Sequence, residues 1–283
     1  MRRWMVFAGG LAALGVLMNV ALASHSWGGY HWARKTNPFT LRLGDNLSSA
    51  DWKGHLAQAS SNWNSPTSFG ATSTPLLTAI VAGQSNKRCS MVAGTTQVCN
   101  GTYGRNGWLG LASIYITGGE HITQGSAKMN DTYFNTSTYN NPNERQHVMC
   151  QEIAHTYGLD HQSEDGSSQN SCMDYFSNTG ANAGSTASTT PNKHDFDQLN
   201  TIYAHLDSTT TVAATPTSPS SSASDATDDP NSWGRLVSQS RNGQSSTYEA
   251  HNRDGSKTVT HVYWTLEAAA NCPSCDHRYD NGH

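Results

Sequence analysis

The feature that most constrains this chain is a stretch of eleven residues that begins at Gln151 and reads QEIAHTYGLDH. On a helix, Gln151 and His155 lie one turn apart, so both side chains project from one face toward a common point. Glu152 lies beside that face, where a carboxylate can accept a proton from an attacking water. Gly158 permits the left-handed conformation that ends a helix, so the chain can turn and bring His161 back. The stretch therefore predicts a metal site with a general base beside it.

The stretch resembles the zinc-peptidase pattern HExxHxxGxxH at every defined position except the first, where Gln151 replaces a histidine. Farther along, SCMDY places Met173 before Tyr175, which resembles the methionine-containing turn beneath the metal in metzincin peptidases. The resemblance implies that His155 and His161 bind zinc. It also implies that Tyr175 binds the metal or the reacting oxyanion, as in the astacin and serralysin branches, whereas matrixins lack this tyrosine.

The resemblance is closest to matrixin-like bacterial secreted peptidases, and it implies a zinc-dependent metalloendopeptidase. Zinc in such sites polarises the scissile carbonyl and activates water. Glu152 would take the proton from that water and later pass it to the leaving amine. The expected substrate is a protein or peptide bound in extended form.

Gln151 leaves three outcomes open, because zinc sites are built from Cys, His, Asp and Glu, and an amide oxygen is a weaker donor than imidazole. Gln151 ligates through its oxygen, or His155 and His161 hold the metal with waters, or the site is empty. His147 lies two turns from His155, about 12 Å along the axis, so we interpret it as a partly exposed helix residue. The alternative function is a catalytically weak or inactive peptide-binding module, although such a module would not need Glu152.

The N-terminal segment 1–23 reads as a secretory signal peptide, with two arginines, an apolar run and a small-residue cleavage site. No cysteine follows the cleavage site, so we expect a secreted protein without a stable membrane anchor. Without this segment the chain has 15 Lys and Arg against 21 Asp and Glu, a net charge of −6. This mildly acidic chain has no basic run, which argues against a nucleic-acid partner. We expect a monomer, and the sequence leaves calcium binding undecided.

Residues 24–207 are long enough for one domain with a substantial core. The pattern predicts an α+β, metzincin-like fold: a twisted, mostly parallel sheet with an antiparallel edge strand, an active-site helix over 144–157 and a C-terminal helix over 191–206. Strands are predicted at 38–43, 76–81, 108–116 and 121–129, and a helix capped by Ser48 or Ser49 precedes the second strand. The resemblance implies that 121–129 is the exposed edge strand with which substrate pairs. His121 is interpreted as an edge or loop residue, because no second ligand is spaced with it.

Asp195, early in the C-terminal helix, matches the aspartate that anchors the methionine turn in matrixins. Residues 208–232 are a predicted linker, because 20 of these 25 residues are Ser, Thr, Ala or Pro. In residues 233–283, Asp254 and Gly255 predict a hairpin turn. We therefore expect a small β-hairpin tail that docks elsewhere or is partly disordered.

The six cysteines, an even number in a chain expected to be exported, predict disulfides, although spacing alone leaves 15 pairings open. We favour three bonds: Cys89–Cys99, Cys150–Cys172 and Cys272–Cys275. The second would tie the metal-binding helix to the turn that contains Met173. A loop of this size contributes about 3 kcal/mol through chain entropy.

Overall fold

The fold is built on one mixed sheet, and the computed structural model describes residues 25–85, 88–212, 228–271 and 275–279. These residues contain nine β-strands and five α-helices. The strands are β1 His31–Trp32, β2 Phe39–Asn46, β3 Leu76–Ala82, β4 Thr95–Gly101, β5 Trp108–Thr117, β6 His121–Asn130, β7 Arg235–Gln239, β8 Ser245–His251 and β9 Lys257–Trp264. The helices are α1 Ala50–Trp63, α2 Asp131–Phe134, α3 Pro142–His155, α4 Lys193–Ile202 and α5 Leu266–Asn271.

The strand order is β3-β2-β4-β6-β5-β9-β8-β7, and β1 also pairs with β6. Strands β1, β2, β3, β4 and β6 pair in parallel, and β5 runs antiparallel to β6. Strands β7, β8 and β9 continue the sheet in antiparallel fashion. The predicted α+β class with a mostly parallel sheet is confirmed for the strands that precede the linker.

Local sequence explains the elements that carry the site. In β2 the alternating Phe39, Leu41 and Leu43 are buried and face the core. Ser49 caps α1, accepting a hydrogen bond from the Trp52 backbone nitrogen at 3.2 Å. Helix α3 begins after Asn141, whose side chain accepts a hydrogen bond from the backbone of the first turn, and proline occupies its first position.

The predicted position of the edge strand is wrong. Strand β6 lies inside the sheet, between β4 and β5, and β5 is the strand that runs antiparallel to the parallel group. Both strands are buried along most of their length, and local periodicity does not specify which strand pairs beside which. The outer edge of β5 is in turn covered by β9.

The predicted hairpin around Asp254 and Gly255 is confirmed as β8 and β9, and it extends the sheet of the preceding residues. Strand β9 pairs with β5 over eight residue positions, from Trp108 opposite Trp264 to Ile116 opposite Lys257. The C-terminal strands also share a buried cluster with β5, which consists of Trp108, Leu111, Trp233, Tyr248, Val262, Trp264 and Ala268. Burial of these large apolar side chains explains why the segment joins the sheet.

Two predicted disulfides are confirmed: Cys89–Cys99 and Cys150–Cys172. The third involves Cys272, which lies outside the described residues, as do the predicted signal peptide and residues 213–227 of the predicted linker. Over the described ranges, no helix has both the length and the apolar character needed to cross a bilayer.

Candidate metal centre and active site

The end of α3 and the turn after it position the first two imidazoles. Helix α3 ends at His155, whose Nδ1 lies 2.8 Å from the Leu159 carbonyl oxygen. Gly158 has a φ of 95°, and a Cβ there would overlap the Tyr30 carbonyl oxygen. Only glycine fits this turn, which brings His161 Nε2 to 3.0 Å from His155 Nε2.

A third imidazole, that of His261 in β9, completes the cluster. Its ring centroid lies 4.0 Å from that of His155 and 4.6 Å from that of His161. One ligand atom of each histidine lies within 4.8 Å of the others. All three side chains are buried. Two nitrogens that bind one tetrahedral zinc lie about 3.3 Å apart, so the spacing suits one ion.

The outer nitrogen of each ring has its own acceptor. His155 Nδ1 faces the Leu159 carbonyl, and His161 Nδ1 lies 3.1 Å from Asp160 Oδ1 and 3.2 Å from Glu164 Oε1. His261 Nδ1 lies 3.4 Å from Glu152 Oε2. When Nδ1 donates in this way, the neutral ring carries its lone pair on Nε2. An Nδ1 atom held by an outer acceptor is typical of metal-bound histidines, in which the Nε2 atom of the same ring faces the ion.

The electrostatics of the cluster keep two of the three imidazoles neutral. Burial, reinforced by the charge of His161, lowers the pKa of His155 to about 3. Burial also lowers the pKa of His161, but hydrogen bonds to Asp160 and Glu164 outweigh it and raise that pKa to about 9. Burial lowers the pKa of His261 well below its ordinary range. Without a cation, the cluster therefore carries about one positive charge.

Tyr175 and Glu152 flank the imidazoles. The Tyr175 hydroxyl lies 2.9 Å from His161 Nε2 and 2.6 Å from His261 Nε2. Glu152 Oε1 has no hydrogen-bond partner among the described residues and fits only because position 110 of β5 is glycine. Burial raises the pKa of the Glu152 carboxyl well above its ordinary value.

Gln151 holds the turn beneath the cluster by its amide nitrogen. Its Nε2 donates to the carbonyl oxygens of Cys172 and Asp174, both at 2.9 Å. Its Oε1 is buried and has no hydrogen-bond partner in the part of the chain that the structure describes. Gln151 as a metal ligand therefore stays a prediction, and the imidazole that joins His155 and His161 is that of His261.

The methionine turn is buried and braced from two sides. Met173 is fully buried, and the Cys150–Cys172 bond joins α3 to the residue before it. Ser171 Oγ donates to Asp195 Oδ2 at 2.7 Å and accepts from the Met173 backbone nitrogen at 2.9 Å. Asp195 thus reaches the turn through Ser171, and burial raises its pKa to about 7.

His147 does not belong to the cluster. Its Nε2 lies 3.0 Å from the Asp174 carbonyl oxygen and its Nδ1 lies 3.2 Å from Asn178 Oδ1. The expectation of a partly exposed residue is wrong, because the side chain is fully buried behind the methionine turn. Its hydrogen bonds show a structural role.

Sequence reasoning missed His261, which lies 100 positions beyond His161. A single histidine in a strand has no ligand partner at a diagnostic spacing. One signal was present: in β9, Val259 and Tyr263 alternate with Val262 and Trp264, which is typical of an interior strand with two buried faces. That alternation places His261 on the face of Val259 and Tyr263, which pack in the main core.

No protein-family profile and no curated protein sequence matches the chain. Among solved structures, one of myroilysin aligns with 64% of this chain and 98% of its own, at 12% identity and a TM-score of 0.34. Similarity at this level assigns neither fold nor function, so both rest on the residues described above.

Proposed function

We propose that the chain is a secreted, zinc-dependent metalloendopeptidase and that this structure is its closed form. One observation carries this proposal: the Nε2 atoms of His155 and His161 and the ring of His261 converge on one point beside Glu152 and Tyr175. Three imidazoles are a zinc-binding set found in catalytic sites. Zinc bound there would polarise a peptide carbonyl and make water a nucleophile at neutral pH.

The protein groups have separate tasks in this proposal. Glu152 takes the proton from the attacking water and gives it to the leaving amine. The Tyr175 hydroxyl donates a hydrogen bond to the oxyanion that forms on the scissile carbonyl. The Cys150–Cys172 bond keeps the helix and the turn in register.

The reason for proposing a closed form is the pairing of β9 with the edge of β5. An extended peptide adds to a sheet by pairing with a free strand edge, and the edge of β5 is already paired with β9. Glu152 is fully buried and Tyr175 is 1% exposed, so a substrate cannot reach them in this conformation. We infer that the C-terminal segment 228–279 must separate before catalysis. Proteolytic cleavage within the predicted linker 208–232 would allow the C-terminal segment to separate.

His261 leaves the site together with β9. Gln151 Oε1 lies on the same helix as His155, and no hydrogen bond to a described residue occupies it. We propose that this oxygen becomes the third protein donor in the open form. A ligand set of one amide and two imidazoles then leaves a position for substrate and water.

The test is to introduce a site for a sequence-specific protease into segment 208–232 of the full chain. Cutting there should produce cleavage of an unfolded protein substrate that the intact chain does not cleave. The Glu152→Ala variant, cut in the same way, should bind zinc as before and cleave nothing, because the general base is gone. Glu249→Ala, a change in β8, is the control and should behave as the parent. If the cut Glu152→Ala variant cleaved the substrate as fast as the cut parent chain, this mechanism would be excluded.

The second candidate is a peptide-binding module without catalysis. The burial of Glu152 and the attachment of the Gln151 amide to the turn favour it. It predicts that the cut chain binds unfolded polypeptide but releases no new amino termini. The same experiment therefore separates the two functions.

A further inference from the structure

A second group of metal-binding side chains lies where β1, β6 and the residues after α4 meet. His31 is in β1, His121 is the first residue of β6, and His205 and Asp207 follow α4. The Nε2 atoms of His31, His121 and His205 lie 3.5, 3.3 and 3.7 Å from Asp207 Oδ1. The ligand atoms of His31, His121 and Asp207 all lie within 4.8 Å of one another. This group shares no residue with the candidate active site.

The rings are oriented for a shared ligand. His31 Nδ1 lies 2.9 Å from the Gly29 carbonyl oxygen, so it donates there and the neutral ring carries its lone pair on Nε2. That Nε2 lies 3.1 Å from His205 Nε2. Two imidazole nitrogens at this distance need a proton or a cation between them.

The backbone fixes this geometry independently of any ligand. His31 and His121 are direct partners in the parallel pairing of β1 with β6. Asp207 donates its backbone N–H to the Arg34 carbonyl oxygen at 2.9 Å. Arg34 Nη1 donates to Asp207 Oδ2 at 2.7 Å, which leaves Oδ1 to the three imidazoles. Preorganised donors of this kind lower the entropic cost of binding an ion.

We propose that His31, His121, His205 and Asp207 bind a zinc ion with a structural role. Three imidazoles and one carboxylate oxygen fill the four positions of a tetrahedral zinc, which leaves none for a substrate. His205 is 51% exposed and His121 is 29% exposed, so the ion can enter from solvent. Bound there, it ties the beginning of the folded domain to the segment that follows α4.

The competing arrangement is a hydrogen-bonded network in which a protonated imidazole pairs with Asp207. It needs no metal, because one positive ring and Arg34 together satisfy the carboxylate. The two arrangements differ in the zinc content of the protein, which is independent of any activity.

The experiment measures zinc in the full chain after loading with excess Zn²⁺ and dialysis. We expect two zinc ions per parent chain and one in His121→Ala. His155→Ala should also hold one, and the double variant none. His205→Asn, which changes a half-exposed side chain, is a second test with little risk to folding and should also lose one ion. His251→Ala is the control, because the exposed His251 side chain pairs with the Glu249 carboxylate and belongs to neither histidine group, so this variant should keep two ions bound.

If the parent chain binds one zinc ion and His121→Ala binds none, the result supports this site, even though the candidate active site is then empty. Co²⁺ substitution gives a second readout, because four-coordinate Co²⁺ absorbs strongly in the visible range. The difference spectrum between the parent and His205→Asn should show that absorption. Zinc content that is unchanged in both His121→Ala and His205→Asn would overturn the site.

Discussion

At the scale of single residues, the site depends on which nitrogen of each imidazole is free. Leu159, Glu164 and Glu152 provide acceptors for the three Nδ1 atoms. The Nε2 atoms of His155 and His161 are left to face each other, and that of His261 faces the Tyr175 hydroxyl. The spacing of His155 and His161 made these two residues predictable from sequence, because a helix and one glycine turn bring them together. His261 was not predictable, because its position depends on the pairing of β9 with β5, a contact of long sequence separation.

The role of His261 can be tested by His261→Ala in the full chain. We expect the intact variant to lose affinity for zinc by more than the roughly 10- to 100-fold that loss of an outer hydrogen-bond partner of a ligand costs, because a ligand itself is missing. After cleavage in segment 208–232, the variant and the parent should have equal peptidase activity, because His261 leaves with β9. Kinetics on an unfolded protein substrate measure this. A cut parent that is active and a cut variant that is inactive would show that His261 stays a ligand during catalysis.

At the scale of elements, α3 is positioned by buried polar contacts as well as by its apolar face. Glu144, in its first turn, is buried and accepts a hydrogen bond from the Asn178 backbone nitrogen at 2.7 Å. Burial raises the pKa of the Glu144 carboxyl to about 8. The folded chain therefore holds this proton at pH values where the unfolded chain has released it.

This shift predicts how stability depends on pH. The folded pKa lies above the unfolded value of about 4.3, so the folded state binds more protons between the two values. The contribution of Glu144 to the free energy of unfolding is fully present below about pH 4. It is lost as the pH rises toward 8, by up to about 1.4 kcal/mol per pH unit. Glu144→Gln keeps an acceptor for Asn178 and does not titrate. Urea unfolding should show the parent losing stability relative to this variant between about pH 5 and 8, whereas a constant difference would contradict the shift.

At the scale of the whole molecule, the sequence predicted β2, β3, β5 and β6, the helices α1, α3 and α4, and two disulfides, because each follows from local pattern or short spacing. It missed β1 and β4, misplaced the edge strand and left open where the C-terminal hairpin docks. The last two depend on strand neighbours, which local periodicity does not specify. Because β9 covers β5 and brings His261 to the cluster, the same pairing explains both the covered edge of β5 and the third imidazole.

The most direct test of this account is a crystal structure of the intact, zinc-loaded chain with anomalous diffraction recorded at the zinc edge. We expect an anomalous peak about 2.0–2.1 Å from the Nε2 atoms of His155 and His161, with His261 as a third ligand at the same distance. A loaded crystal with no peak between these three side chains, or with His261 turned away from the ion, would contradict the account.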